Sequence, residues 1–151
     1  MKKYFIGATI LAISSITNAV PNIWEKFDEK GVLVYAISDA KNTTLRVYCS
    51  YAMPDSYDHG VYLDRGNDQI SNTLSKQPLS FLVNGTKAIT PTGSTSTVSG
   101  SIEWDKLTSS FSTAKTIDVY LNNKKVTTFK PIQSSLSQLK SLKRCQSRLN
   151  G

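Results

Sequence analysis

Cys49 and Cys145 are the only two thiols in a chain of 151 residues that also carries a single histidine. Two thiols and one imidazole at scattered positions do not make the spacing of a zinc site, so no metal is expected. Either a disulfide or two buried free thiols remain, and the export signal described below favours the disulfide. His59 follows Asp58 in a stretch that also holds Asp55, Asp64 and Asp68. That grouping suggests a general base held by a carboxylate, or a calcium loop. The stretch lacks the regular oxygen spacing and the glycine of a calcium loop, and a histidine in a Pro- and Asp-rich loop is commonly an exposed one without a role. Glu103 and Asp105 flank Trp104 as a glycosidase pair could, but a place in the first turn of a helix already explains both through the helix dipole. Nucleophile-elbow, phosphate-loop and dinucleotide glycine patterns are absent. The reading is of a chain with no catalytic residue and no cofactor.

Residues suited to contact are more plentiful. On a helical wheel over 135–149, Leu136, Leu139, Leu142, Cys145 and Leu149 fall along one side. Lys140, Arg144 and Arg148 form a basic ridge on the other, with Lys143 beside it. Such a ridge suits phosphates or lipid headgroups, or is simply a solvated face. Tyr48 and Tyr120 alternate outward from strands and offer flat amphipathic contact area. A sheet face with one tyrosine per strand is also ordinary. Charge follows the same division. Residues 20–86 carry 6 basic and 8 acidic side chains, whereas residues from 87 onward carry 10 and 3. An anionic surface contact through the basic C-terminal half is one consequence, and a solvated, solubilising face is the other.

Residues 1–19 have the three parts of a secretory signal: Lys2 and Lys3, an apolar centre, and the small-residue site Thr17-Asn18-Ala19. The apolar run is shorter than the roughly 20 residues that span a bilayer. Cleavage after Ala19 leaves residues 20–151 as one domain, exported to the periplasm or beyond, where a Cys49–Cys145 bridge persists. In the loop-entropy account such a bridge restricts the unfolded chain by about 4–5 kcal/mol.

The elements that must position these groups are mainly strands. Residues 31–37 and 43–50 are rich in β-branched and aromatic side chains and read as a hairpin, with Leu45, Val47 and Cys49 on its inner face. Ahead of them, 20–30 reads as one helical turn or an irregular arm. A short strand is expected at 59–63 and a polar stretch at 64–77. Asn84-Gly85 predicts a two-residue hairpin between 81–83 and 86–90. Residues 91–101 read as a mobile loop or edge strand with nothing to anchor a core, and 101–114 as a helix capped by Ser101. Strands at 116–121 and 125–129 turn at Asn122-Asn123, and Ser135 with Gln138 opens the closing helix as a capping box. The fold expected is an antiparallel sandwich or curled sheet with a C-terminal amphipathic helix packed on it and one disulfide.

The hairpin ending in Leu45-x-Val47-x-Cys49, the strand Ile117-Asp118-Val119-Tyr120, the return strand ending in Phe129, and Ser135-x3-Leu139-x5-Cys145 together resemble small exported envelope proteins of bacteria. The likeness is to the VasI-like accessory proteins of type VI secretion clusters and, more distantly, to invasion-associated locus B-type proteins. It spans residues 31–145, and the polar segment 64–101 departs from it. The resemblance implies a non-enzymatic accessory of a secretion, conjugation or adhesion apparatus with a protein partner in the envelope. The alternative is an inhibitor or immunity protein against a cell-wall hydrolase or toxin. A net positive charge counts against that reading, since such hydrolases are often basic themselves. Mass spectrometry of exported material is expected to find both cysteines blocked to alkylation until a reductant is added; two free sulfurs would remove the clasp on which this layout rests.

Overall fold

A computed structural model describes residues 19–51, 58–72, 78–91 and 93–145. The expected signal at 1–19 lies outside this set except for Ala19. The larger sheet is an antiparallel meander of β1 (Glu25–Glu29), β2 (Val32–Ser38), β3 (Thr43–Cys49), β4 (Gly60–Arg65) and β5 (Asp68–Ile70), neighbours in that order. The smaller sheet sets β6 (Leu79–Val83) against β7 (Ile117–Leu121) and β7 against β8 (Lys124–Phe129). Helix α1 (Val98–Phe111) connects β6 to β7, and a 3-10 helix, Gln133–Cys145, closes the described chain. The fold is therefore mainly antiparallel β.

Turn chemistry sets the pairing. Three two-residue turns, Lys30-Gly31, Asn84-Gly85 and Asn122-Asn123, hold both central residues at positive φ. This is the geometry whose twist matches that of the flanking strands. Asparagine and glycine enter it at little cost, but Lys30 does not, so Gly31 alone marks the first turn in the sequence. The segment expected as a helical turn or arm is instead edge strand β1. The register then aligns Leu33 with Cys49, Tyr35 with Val47 and Ile37 with Leu45, and Leu45 with Leu63. Because side chains alternate, this row faces inward. In the smaller sheet Phe81 pairs with Val119, and Ile117 with Phe129. One core gathers both sheets with Trp24, Trp104, Leu107 and Phe111. Phe111 meets Phe81 edge-on at 5.5 Å and Trp24 at 6.0 Å between ring centroids.

Four further expectations change. After Asn84-Gly85 the chain returns only as far as a single bridge, Ile89 to Phe81, rather than as a full strand. The 64–77 stretch contributes the short hairpin of β4 and β5. Helix α1 begins at Val98, capped by Thr97, whose hydroxyl accepts the Gly100 N–H at 3.1 Å. Ser101, expected as the cap, is fully buried inside the helix and donates to the Val98 carbonyl. The Ser/Thr/Gly run adds no side chain to the hydrophobic core, although Thr95 and Ser101 within it are buried.

The closing helix is wound more tightly than the α-helix expected, and its bounds shift. Leu136, Leu139, Leu142 and Cys145 recur every three residues. At about 100° per residue such positions drift around the axis, whereas at three residues per turn they superimpose. Leu139, Leu142 and Cys145 are buried, and Leu136 packs against the same core. Of the expected helix, residues 146–149 lie outside the described set. Ser135 Oγ accepts the Trp24 N–H at 3.1 Å, and Ser141 Oγ lies 2.9 Å from the Tyr35 hydroxyl. Truncating Leu139 to alanine is expected to cost ~2–4 kcal/mol in urea unfolding. Gln138→Ala, on the exposed side, should stay within about 0.5 kcal/mol.

Candidate functional site

Three places bring functional side chains together, beginning with the disulfide. Cys49 ends β3, Cys145 ends the closing helix, and the two are bonded with Cα atoms 5.4 Å apart and no exposure. Beside the bridge, Trp104 Nε1 donates to the Cys145 carbonyl at 2.5 Å, and the His59 ring stacks on Trp104 at 5.3 Å. The Ser50 N–H donates to His59 Nδ1 at 3.1 Å, so that nitrogen is the unprotonated one. Ser50 Oγ donates to the Asp58 carbonyl, and the His59 N–H to Thr95 Oγ1.

The Asp58 carboxylate is engaged by the residues that lead into α1. Its Oδ1 accepts from Ser96 Oγ at 2.6 Å, the Thr95 N–H at 3.0 Å, Thr95 Oγ1 at 3.1 Å and Ser94 Oγ at 3.2 Å. Partial burial pushes this carboxyl up, and the Ser96, Ser94 and Thr95 donors together overcome it, holding Asp58 below its ordinary value. The two side chains thus serve different partners. Chemically the cluster welds the β3 end, the β4 start and the α1 entry around the disulfide. Asp55, the other carboxylate expected near His59, lies outside the described residues. Asp64 is engaged by Arg46 and Gln69, and Glu103 by Lys106. Among the described residues no group of His, Cys, Asp and Glu gathers to hold a metal.

The second place is the outward face of the larger sheet. Tyr48 pairs across the strands with Gly60, and the Tyr62 ring folds back over that glycine. A Cβ at position 60 would stand 2.8 Å from the ring, so glycine there makes room for it. The rings of Tyr48 and Tyr62 meet edge-on at 5.0 Å. Arg46, directly opposite Tyr62, lies 3.0 Å from Asp64 through its Nε. The Arg46 guanidinium donates a hydrogen bond to Tyr48, which raises it, while burial lowers it and Asp64 raises it further. Phe27, Val34 and Tyr48 continue the row across β1, β2 and β3, with Val34 buried and Phe27 37% exposed. Alternation along β3 already turns Arg46 to the same face as Tyr48, but the β3–β4 register is what sets Tyr62 beside them, and the β1–β2 and β2–β3 registers are what add Phe27. Tyr120 is half-buried on the other sheet, turned from the core beside Asp118 and Lys125, and does not join this patch.

The third is the basic side of the closing helix. Lys140 and Arg144 are exposed there. Four residues apart on a three-per-turn helix, they point about 120° from each other rather than along one ridge. Lys143 lies within the same helix, and Arg148 lies outside the described residues.

Residues 22–135 match the family described as YfjT. The uncharacterized protein YkfB of Escherichia coli (strain K12) is 27% identical over 129 residues, which cover 83% of this chain and 82% of the relative. The uncharacterized protein YfjT of the same strain is 24% identical over 145 residues, 93% of each. No solved structure matches the chain.

The Asp58 cluster has a pH signature. Its carboxyl is lowered in the folded state, so the stabilisation is complete above the unfolded value near 3.8 and is lost as pH falls through the lower folded value. Asp58→Asn is expected to cost ~1 kcal/mol at pH 7, after allowance for solvent screening. In urea unfolding curves the gap from the unaltered protein should narrow as pH drops below 3.8.

Proposed function

The chain belongs to the YfjT family, and we propose that it is an exported, non-enzymatic protein that binds another macromolecule of the bacterial envelope. The observation that carries this reading is the outward patch of Tyr48, Tyr62 and Arg46. Tyrosine and arginine are the residue types that anchor protein interfaces, since they offer large contact area at a modest entropy cost. Here each ring is already restrained by its neighbour and by the Gly60 hollow, so less freedom is lost when a partner docks. The partner is a protein, and the place is an accessory role in a secretion, conjugation or adhesion apparatus, in line with the resemblance noted above.

Export is supported by the buried Cys49–Cys145 bridge, which an oxidising compartment forms and keeps. Residues 1–19 act as the signal and are removed in this reading. The closing helix serves as a clamp laid over the open face of the larger sheet. The cations Lys140 and Arg144 supply a weaker, salt-sensitive attraction to anionic surfaces.

Two measurements test the proposal. The periplasmic or secreted form should have the mass of a chain starting at Val20; full-length protein held in the cytoplasm would contradict export. Tyr48→Ala with Tyr62→Ala, confirmed folded by circular dichroism, should weaken capture of the partner found in envelope pull-downs roughly tenfold or more. Equal capture by the double variant would remove the sheet face from the reading.

A further inference from the structure

A polar groove of about 670 Å³ opens where the turns of the larger sheet meet β8. That is within the range of small-ligand sites, about 300–1,000 Å³. The β2–β3 turn brings Asp39 and Lys41 to it, the end of β4 brings Arg65, and β8 brings Thr127. Asn22 enters from the segment before β1.

The charges here are not equivalent. Asp39 Oδ1 accepts the N–H groups of Lys41 at 2.8 Å and Thr43 at 2.9 Å, and Oδ2 accepts Thr127 Oγ1 at 2.6 Å. Its oxygens are therefore occupied in fixing the turn and joining β8 to the larger sheet, and its charge leaves the groove lining, with Lys41 and Arg65, one positive charge in excess. Lys41 and Arg65 make no ion pair among the described residues, although Asp68 stands opposite Arg65 in the register. Asn22 Oδ1 accepts the Lys130 N–H, which leaves its amide nitrogen to donate. The Thr127 hydroxyl, having donated its proton to Asp39, keeps lone pairs to accept. Two uncommitted cations on the rim, an amide donor and a hydroxyl acceptor on the walls suit a ligand that carries one oxyanion and several hydroxyls.

We infer that this groove is a binding site for an acidic sugar unit, a carboxylate or phosphate borne on a polyhydroxylated ring, with Lys41 and Arg65 gripping the oxyanion. Arg65 provides the planar fork that matches carboxylate or phosphate, and Lys41 a point charge beside it. The site is separate from the tyrosine patch, so it stands or falls independently of the macromolecular partner.

Calorimetric titration of the full chain with glucuronic acid, glucose 6-phosphate, glucose and inorganic phosphate tests this. Saturable binding of glucuronic acid, glucose 6-phosphate or both is expected, with at least tenfold weaker binding of glucose and of phosphate alone. Whichever acid sugar binds more tightly identifies the oxyanion. Lys41→Ala with Arg65→Ala, both at exposed positions, should weaken that binding at least tenfold while leaving the thermal midpoint unchanged. Three results would overturn the inference: no binding of either acid sugar, phosphate alone binding as tightly as glucose 6-phosphate, or unaltered affinity in the double variant.

Discussion

The Cys49–Cys145 bridge spans 96 residues and ties the inner face of the larger sheet to the last described residue of the closing helix. Every element from β4 to β8 lies within the loop it closes. A small domain buries a limited share of its surface, so a covalent limit of about 4–5 kcal/mol on the unfolded chain matters against a total stability of roughly 5–15 kcal/mol. The surroundings are arranged to keep the bridge dry and in place. Trp104 caps the Cys145 carbonyl, His59 stacks on Trp104, and the Asp58 cluster holds His59 to the entry of α1.

Two ionised carboxylates, Asp58 and Asp39, make two of the long-range polar joints. Each is satisfied by hydroxyls and backbone N–H groups rather than by a cation. Burial raises both, and their donors more than compensate, so both sit below the ordinary carboxylate value. Because the carboxylates are spent on hydroxyls, nearby cations such as Lys41 and Arg65 stay available. Elsewhere cations are committed, as Lys125 is to Asp118 at 2.6 Å.

The two contact surfaces differ in kind. In the tyrosine patch the rings of Tyr48 and Tyr62 meet edge-on and Tyr62 lies over Gly60. The groove is concave and built from turns. In the functions proposed above, the sheet face takes a partner of large area and the cleft a small charged ligand.

Local pattern was enough to read the β3 alternation that turns Cys49 inward, the cysteine pairing, the Asn84-Gly85 and Asn122-Asn123 turns, and strands β2, β3, β7 and β8. The alternation, turns and strands depend on neighbours a few residues apart, whereas the cysteine pairing, 96 residues long, followed from there being only two cysteines in a chain with an export signal. The winding of the closing helix was half visible, since its three-residue repeat fits a 3-10 helix, but choosing that winding required the core against which Leu139 and Leu142 pack. Strand β1 escaped notice because Lys30 adopts a positive φ that only the finished hairpin makes worthwhile. Tyr62 beside Tyr48, Asp39 bonded to Thr127 and Asp58 enclosed by Ser94, Thr95 and Ser96 were decided by tertiary structure alone. Those partners are 14 to 88 residues apart in sequence, and register and packing, not local propensity, bring them together.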